Sequence, residues 1–247
     1  MKINRILVLF FVLGLVGLFG ANPSVPVVNL SLTAPDTPKQ LVTTLNVVLV
    51  LTLLVLAPSL VLVMTSFTRL LIVFAFLRTA LGTQQSPPTQ ILVSLALVLT
   101  FFIMEPAAKD AYNQAIKPYM DNKISYEVAF DKGVEPFKKF MLKNTREKDL
   151  ALFFRIRDLP NPQNAEEVPL SVLIPSFMIS ELKTAFQIGF LLYLPFLVID
   201  MVVSSILMAM GMMMLPPVMI SLPFKILIFI LVDGFNLLIG NLVASFK

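Results

Sequence analysis

The sequence predicts an all-α, oligomeric membrane protein, built from membrane-associated helical hairpins with Pro-Pro tips and a small helical domain outside the cytoplasm. Of its 247 residues, 57% are hydrophobic and 14% are charged, whereas about 25% are charged in a typical soluble domain. Several apolar runs approach or exceed the roughly 20 residues with which a helix crosses a bilayer. These runs are continuous and lack the alternation of a membrane β-barrel.

The composition argues against enzymatic chemistry. The chain has no cysteine and no histidine, which removes disulfides, thiol chemistry, Ser-His and Cys-His pairs and the HExxH zinc site. Its nine glycines are scattered, its net charge is only +4, and no basic stripe suggests nucleic acid. A Ser-Lys or paired-carboxylate site stays open, but no spacing argues for one. We therefore expect no enzyme, no cofactor and no metal site.

The first 40 residues are predicted to be a targeting segment and a linker. Residues 1–21 begin with Lys2 and Arg5, continue with an apolar stretch and end on Gly20-Ala21, the pattern of a secretory signal peptide. A signal anchor that stays attached is the alternative. Residues 22–40 contain four prolines and are predicted to be an extended exterior segment.

Residues 41–105 are predicted to form the first helical hairpin. Leu41–Met64 is its first membrane helix, and the next helix ends at Gly82, because glycine suits a helix C-terminus. Pro87 and Pro88 form the hairpin tip, since two consecutive prolines remove two backbone donors and do not fit inside a helix. The returning apolar arm ends at Glu105.

Two arginines and one glutamate flank the apolar arms of this hairpin. Arg69 and Arg78 lie on roughly opposite helix faces at 100° per residue, and they indicate the cytoplasmic or inward side. Arg69 precedes the tip by about 18 residues and Glu105 follows it by about 17, so straight arms bring them to one level. We hypothesise an Arg69–Glu105 pair; the alternative is that each charge is solvated separately at an arm end.

Residues 106–169 are the polar part of the chain, with acidic and basic residues almost in balance. Apolar residues recur there at helical spacing, which predicts a small helical domain with one apolar face. We place this domain outside the cytoplasm, and expect its apolar face to pack on its own chain or on neighbouring subunits. Asp158–Pro169 contains three prolines and is predicted to be a linker. The face is formed by Phe130, Val134, Phe137, Phe140, Met141, Leu150, Phe153 and Phe154.

Residues 170–247 are predicted to form a second hairpin with a methionine-rich loop. Leu170–Leu215 is its first arm, which Pro175 and Pro195 interrupt, and Val218–Phe246 is the last helix. The tip between the two arms is Pro216-Pro217.

Ionisable residues inside apolar sequence are costly, and we expect them to be buried or to lie between subunits. Asp200 and Asp233 lie about 16 residues from the Pro-Pro tip on either side, so both acids reach one level. They need partners from another chain, water or protonation, which favours an oligomer but also suits an ion-coupled transporter. The full set is Arg69, Arg78, Glu105, Glu181, Lys183, Asp200, Lys225 and Asp233.

The ten residues from Met208 to Pro217 read MAMGMMMLPP and contain five methionines. One interpretation is core filler, because methionine fits irregular gaps. A second is a deformable seal, in which several copies meet on an axis and close a pore. A third is a soft-metal site, disfavoured because the chain offers no His or Cys. The methionines are Met208, Met210, Met212, Met213 and Met214.

Two long runs of this sequence resemble the FliP family of flagellar type III export-gate proteins. One run reads MTSFTRLLIVFAFLRTALGTQQSPPTQILVSLALVLTFFIMEP, and the other begins IPSFMISELKTAFQIGF and continues through GMMMLPPVMISLPFKILIFILVDGFNLLIG. The resemblance covers roughly Leu41–Pro106 and Ile174–Gly240. The GMMMLPP wording and the cleavable N-terminus are more similar to the flagellar branch than to the virulence injectisomes.

The resemblance implies a partner set and a location. Members of the family assemble as five copies with FliQ-like and FliR-like subunits, beside FlhA and FlhB. The assembly lies in the bacterial inner membrane at the flagellar basal body, with a large part on the periplasmic side, and unfolded export substrates pass along its axis. The resemblance also implies a methionine gasket, formed by Met212, Met213 and Met214 with Met208 and Met210 as neighbours.

Overall fold

The computed structural model describes residues 38–83, 85–160, 162, 164, 167–212 and 215–246. These residues are mostly helical and include no strand, which confirms the all-α class. The chain divides into two compact units, Met1–Leu51 and Thr52–Lys247. The predicted signal peptide and residues 22–37 of the predicted exterior segment lie outside the described residues.

The described helices succeed one another along the chain. Their bounds are α1 Pro38–Val63, α2 Phe67–Leu81, α3 Thr89–Ala111, a π-helical turn Tyr112–Ile116, α4 Lys117–Met120, α5 Tyr126–Asn144, α6 Glu147–Ile156, α7 Leu170–Ala209, α8 Pro217–Leu231 and α9 Gly234–Ala244. Helix α1 therefore begins slightly before the predicted Leu41. Pro38 suits that position, because the first helical residues have no backbone N–H partner to lose.

Two helical stretches are long and apolar enough to cross a membrane by length and composition. They are Thr89–Met120, with 32 residues, and Leu170–Ala209, with 40 residues, each with a mean hydropathy of 2.2. Helices α8 and α9 pass the same test as a pair, but they are bent by 64° relative to each other. Within the described residues, the number of candidate spans is thus two, or three if the bent pair is one span.

Three prolines inside these helices do not end them. An apolar arm was predicted to end at Glu105, and Pro175 and Pro195 were predicted to interrupt another. In the structure α3 continues through Pro106, and α7 runs through both of its prolines. Each internal proline removes one backbone donor and bends a helix locally. Packing against neighbouring helices compensates for such a loss in apolar surroundings.

The last helix was predicted to be continuous from Val218 to Phe246, and that prediction is wrong. Asp233, between α8 and α9, has left-handed backbone angles of φ 51° and ψ 49°, which a residue with a side chain rarely adopts. Gly234 follows, and a Cβ built on it would lie 2.3 Å from the Phe229 ring. The chain therefore turns sharply at Asp233, and glycine is required beside the turn.

The larger hydrophobic core lies between the apolar helices. Leu70, Val73 and Phe74 of α2 are at most 1% exposed, and residues of α3, α7, α8 and α9 complete the cluster around them. Gly189 of α7 lies against Phe76 of α2, so closely that an added Cβ would be 2.5 Å from the ring. The glycine thus permits a close approach of α7 to α2.

A second core joins the polar helices to α7. Met141 of α5 and Phe154 of α6 are buried against Val172, Leu173 and Phe177 of α7. The predicted apolar face therefore packs on its own chain, although its first member, Phe130, is 57% exposed. Helices α5 and α6 belong to the same compact unit as α7.

Candidate functional site

The methionine-rich segment begins with a tightly closed helix end. The N–H of Gly211 donates to the Met208 carbonyl at 3.0 Å, and the N–H of Met212 donates to the Leu207 carbonyl at 2.9 Å. This pair of bonds is the Schellman motif, which requires a left-handed residue at the helix end. Gly211 has φ +74°, so glycine supplies that conformation without steric strain.

The methionines around this end project away from the chain. Met208, Met210 and Met212 are 62%, 63% and 44% exposed, and a Cβ built on Gly211 would meet nothing within 4 Å. Met213 and Met214 lie outside the described residues. In this chain taken alone, Met208, Met210 and Met212 therefore do not fill its core.

Both Pro-Pro pairs lie immediately before or at the start of a helix. Pro88 is the N-cap residue of α3, Pro216 is the N-cap of α8, and Pro217 is its first residue. Proline suits this position, because its fixed φ is already helical and its missing N–H would have no intrahelical acceptor there. Helix α2 also ends as the sequence predicted, at a left-handed Gly82.

An ion pair connects α7 to α8, the two helices that flank the methionine segment. Lys225 Nζ lies 2.7 Å from Asp200 Oδ2, and it donates a second hydrogen bond to the Ala80 carbonyl at the end of α2, at 3.1 Å. Ser221 Oγ donates to the other Asp200 oxygen at 2.5 Å. Lys225 is 2% exposed, so Asp200 has its charge partner within the chain.

A second, more deeply buried ion pair connects α2 to α7. Arg69 Nε donates to Glu181 Oε2 at 2.9 Å, and Arg69 Nη2 donates to Glu181 Oε1. Such a two-point arrangement matches the planar guanidinium to the carboxylate. The hypothesised Arg69–Glu105 pair is therefore wrong, and Glu105 is exposed on α3.

Arg69 also contacts the C-terminal residues of the chain and the end of α5. Its Nη1 donates to Ser245 Oγ at 2.9 Å and to the Ser245 carbonyl at 3.3 Å. Its Nη2 lies 3.4 Å from Asn144 Oδ1, and its guanidinium carbon lies 3.8 Å from the centre of the Phe246 ring. One cation thus joins four separate segments.

A third cluster connects α6 to α7. Asp149, which is 2% exposed, accepts hydrogen bonds from Lys183 and from Ser180 Oγ, the latter at 2.9 Å. Ser180 in turn accepts from the Arg146 backbone N–H at 3.0 Å. Burial by itself raises the pKa of Asp149, but the hydrogen bonds from Lys183 and Ser180 and the positive charge of Lys183 outweigh it, so the pKa lies below its ordinary value.

The remaining predicted charges are less buried. Arg78 is half-buried and donates to Thr89 Oγ1 at 3.0 Å. The side chain of Lys183 is 50% exposed beside Asp149. Asp233 is exposed at the turn between α8 and α9, where it accepts from Asn236 at 3.0 Å. Asp200 and Asp233 therefore have different surroundings, although the sequence placed them at one level.

Sequence reasoning missed the polar side chains that complete these clusters. Asp149, Asn144, Ser180, Ser221 and Ser245 all take part. Asp149 lies in the first turn of an amphipathic helix, where an acidic residue is common because it is favourable there. Its presence in the sequence therefore does not indicate that it is buried and paired. Among the described residues, no group of three or more acidic side chains converges on a metal position.

The fold and these clusters define an all-helical membrane protein, in which ion pairs join apolar helices and methionines are exposed at a helix end. The model of the FliP family matches residues 50–242, so the chain belongs to the FliP family.

Curated relatives of the chain carry the name flagellar biosynthetic protein FliP. The relative from Bacillus subtilis strain 168 is 54% identical over 209 residues, which cover 85% of this chain and 95% of that protein. The relative from Aquifex aeolicus is 48% identical over 210 residues, with 84% and 88% covered. The relative from Treponema pallidum is 44% identical over 237 residues, with 94% and 88% covered.

Proposed function

We propose that this chain is a core subunit of the flagellar type III protein export gate, and that its methionine segment closes the channel for unfolded flagellar proteins. The observation that supports this best is the exposure of Met208, Met210 and Met212 beside the closed end of α7. An apolar cluster exposed in one subunit is suited to contact with another subunit or with a passing chain.

Methionine fits such a closure for physical reasons. Its side chain is apolar, so a ring of methionines opposes the passage of hydrated ions. It is also unbranched and has three rotatable bonds, so it adapts to differently shaped polypeptides. Gly211 follows the end of α7 within the segment, so Met212 lies outside the regular helix and Met208 lies in its last turn. The proposed gate uses no catalytic residue, and its energy comes from partner proteins or a proton gradient.

The proposed assembly contains five copies of this chain together with FliQ-like and FliR-like subunits, next to FlhA and FlhB. Its proposed location is the bacterial inner membrane at the flagellar basal body, with a large part on the periplasmic side. Family membership and the names of the relatives support this assignment, and the long apolar helices suit a membrane. In the assembly, Pro87-Pro88 and Pro216-Pro217 form the tips of two hairpins.

An ion-coupled transporter is the alternative that uses Asp200, Lys225, Asp233 and Glu181 as relay groups. In the structure Asp200 is paired with Lys225, and Glu181 is paired with Arg69. These ion pairs explain why the two acids lie in apolar sequence, without a role in proton or ion relay. If Asp200→Asn and Asp233→Asn abolish transport in a protein that still assembles, the relay gains support over the simple gate.

The decisive experiment measures ion leak across the cytoplasmic membrane after Met212, Met213 and Met214 are all changed to alanine. Met201→Ala and Met219→Ala are matched controls, because both methionines are exposed on α7 and α8 outside the segment. We expect leak with secretion retained in the triple variant alone. Lost secretion without leak supports a scaffold instead, and no change in either supports core filler.

A further inference from the structure

The junction of α8 and α9 has the features of a hinge. The two helices are separated by Val232 and Asp233 and are bent by 64°. The bend depends on one residue with a side chain, Asp233, in the left-handed region at φ 51°. That conformation is unfavourable for any residue other than glycine, and Asp is one of the few residues that tolerate it. The bend therefore carries backbone strain at Asp233 that a continuous helix would not have.

Contacts at the far end of α9 keep the bend in place. Ser245 accepts hydrogen bonds from Arg69 through its hydroxyl, at 2.9 Å, and through its carbonyl, at 3.3 Å. Phe246 lies under the same guanidinium at 3.8 Å and stacks on Phe140 of α5, with ring centres 5.9 Å apart. We call Ser245, Phe246 and their contacts the C-terminal latch.

Arg69 does not need the latch to remain neutralised. Its Nε and Nη2 donate to Glu181, and the latch hydrogen bonds use Nη1. Opening the latch therefore leaves the Arg69–Glu181 pair intact and creates no buried unpaired charge. Breaking a contact costs far more free energy when it leaves a buried charge without its partner. The arrangement allows the C-terminal residues to leave while α2 and α7 stay joined.

Whether the protein is in water or in a bilayer determines how strongly apolar burial of α9 opposes straightening. Leu238 and Leu242 of α9 are buried in the larger hydrophobic core. Exposing them to water would be strongly unfavourable. Inside a bilayer, lipid tails are as apolar as these side chains, so apolar burial hardly favours the bent form there. The balance then depends on the polar latch and on the strain at Asp233.

From these contacts we propose that α8 and α9 form a jointed membrane segment, which the C-terminal latch keeps bent and which straightens in lipid when the latch opens. The straight form is one helix from Pro217 to Ala244, about 42 Å long at 1.5 Å per residue and sufficient to cross a bilayer. Straightening moves the end of α9 by about 17 Å relative to α2. This inference does not rest on the proposed gate.

The test measures the distance between spin labels on the full-length protein in lipid nanodiscs. The chain contains no cysteine, so Lys143→Cys on α5 and Asn241→Cys on α9 label two exposed positions without background. In the bent form Arg69 contacts both Asn144 at the end of α5 and Ser245 just after α9, so the labelled ends of α5 and α9 are close together. We expect a main short distance and a minor distance on the order of 15 Å longer.

Three variants shift the two populations in opposite directions. Ser245→Ala combined with Phe246→Ala opens the latch and should make the long distance dominant. Asp233→Ala favours a continuous helix and should act in the same direction, whereas Asp233→Gly relieves the strain and should remove the long distance. Ser205→Ala, at an exposed serine of α7, is the control and should change nothing.

Two outcomes would overturn the proposal. In one, the short distance stays unchanged in both the latch variant and Asp233→Ala while circular dichroism shows native helix content. In the other, those variants give a broad distribution with no second defined distance and lose helix content, because α9 then unfolds instead of straightening.

Discussion

Arg69 of α2 and Glu181 of α7 are 112 residues apart in the sequence and form a two-point ion pair, with the Nε–Oε2 contact at 2.9 Å. Arg69 is 3% exposed and Glu181 is fully buried. Two predominantly apolar helices are thus joined by charges that water hardly reaches. Such a pair specifies which faces of α2 and α7 meet, in addition to the close contact at Gly189.

Glu181→Met should destabilise the protein strongly, by about 3–5 kcal/mol, because a buried guanidinium is left without its anion. The double variant Arg69→Met and Glu181→Met should cost less than either single change, because no unpaired charge remains. Thermal unfolding in detergent, followed by circular dichroism, measures both. If the double variant loses as much as the two singles together, the pair is not energetically coupled.

Asp200→Ala should be more damaging than Lys225→Met, although both break the same pair. The Lys225 side chain is 2% exposed and without Asp200 keeps only the Ala80 carbonyl as a partner. The Asp200 side chain is 23% exposed and without Lys225 still accepts from Ser221. We expect a loss of about 3 kcal/mol in the first case and about 1–2 kcal/mol in the second. Unfolding midpoints of the two variants compare them directly, and an equal or reversed order contradicts the prediction.

Gly189→Ala should lower stability by about 1–3 kcal/mol, because its Cβ would lie 2.5 Å from the Phe76 ring between two packed helices. Gly240→Ala is the matched control: it also lies within a helix, but its Cβ would meet nothing within 4 Å. Alanine is the better helix former, so this control should be neutral or stabilising. Unfolding midpoints that fall equally in both variants would show that the contact with Phe76 is unimportant.

Asp149 should make the stability depend on pH at the acidic end. Its pKa in the folded protein is lowered, so its contribution is complete above the unfolded pKa of about 3.9 and is lost as the pH falls through the folded pKa. The unfolding midpoint of Asp149→Asn should therefore lie below that of the native protein near pH 7, and the gap should narrow below about pH 4.

Asp131→Asn, at an exposed acid of α5, serves as the control for this pH series. Its midpoint should stay close to that of the native protein from neutral to acidic pH. A gap for Asp149→Asn that is constant across the same range would mean that the Asp149 carboxylate is not stabilised in the folded state.

Local signals in the sequence were sufficient for the helical class and for several helix ends. Gly82 ends α2 as predicted, because a left-handed residue is needed there and glycine adopts it without strain, whereas α7 ends at Ala209 and not at the predicted Leu215. The apolar face of α5 and α6 was also predicted, since its spacing places Met141 and Phe154 on one side. These features depend on residues close together in the chain.

The charge partners could not be predicted, because they depend on how distant helices pack. The Arg69–Glu105 hypothesis assumed two straight arms in one hairpin, but Arg69 faces α7 and its partner is 112 residues away. The bend at Asp233 was missed for a related reason. A single acid in an apolar run gives no indication whether the backbone stays helical or turns, and the tight contact of Gly234 with Phe229 exists only in the folded chain.

Helix α7 can be considered as a mechanical lever. Its 40 residues extend over about 60 Å. Helices α5 and α6 pack against its first half, through Phe177 and the Asp149–Lys183 contact. The methionines lie at its other end. A tilt of only about 5° around this first half displaces the far end by several ångströms, which is about the width of a side chain. The contacts of Gly189 with Phe76 and of Asp200 with Lys225 lie between the two ends of α7, so they oppose such a tilt.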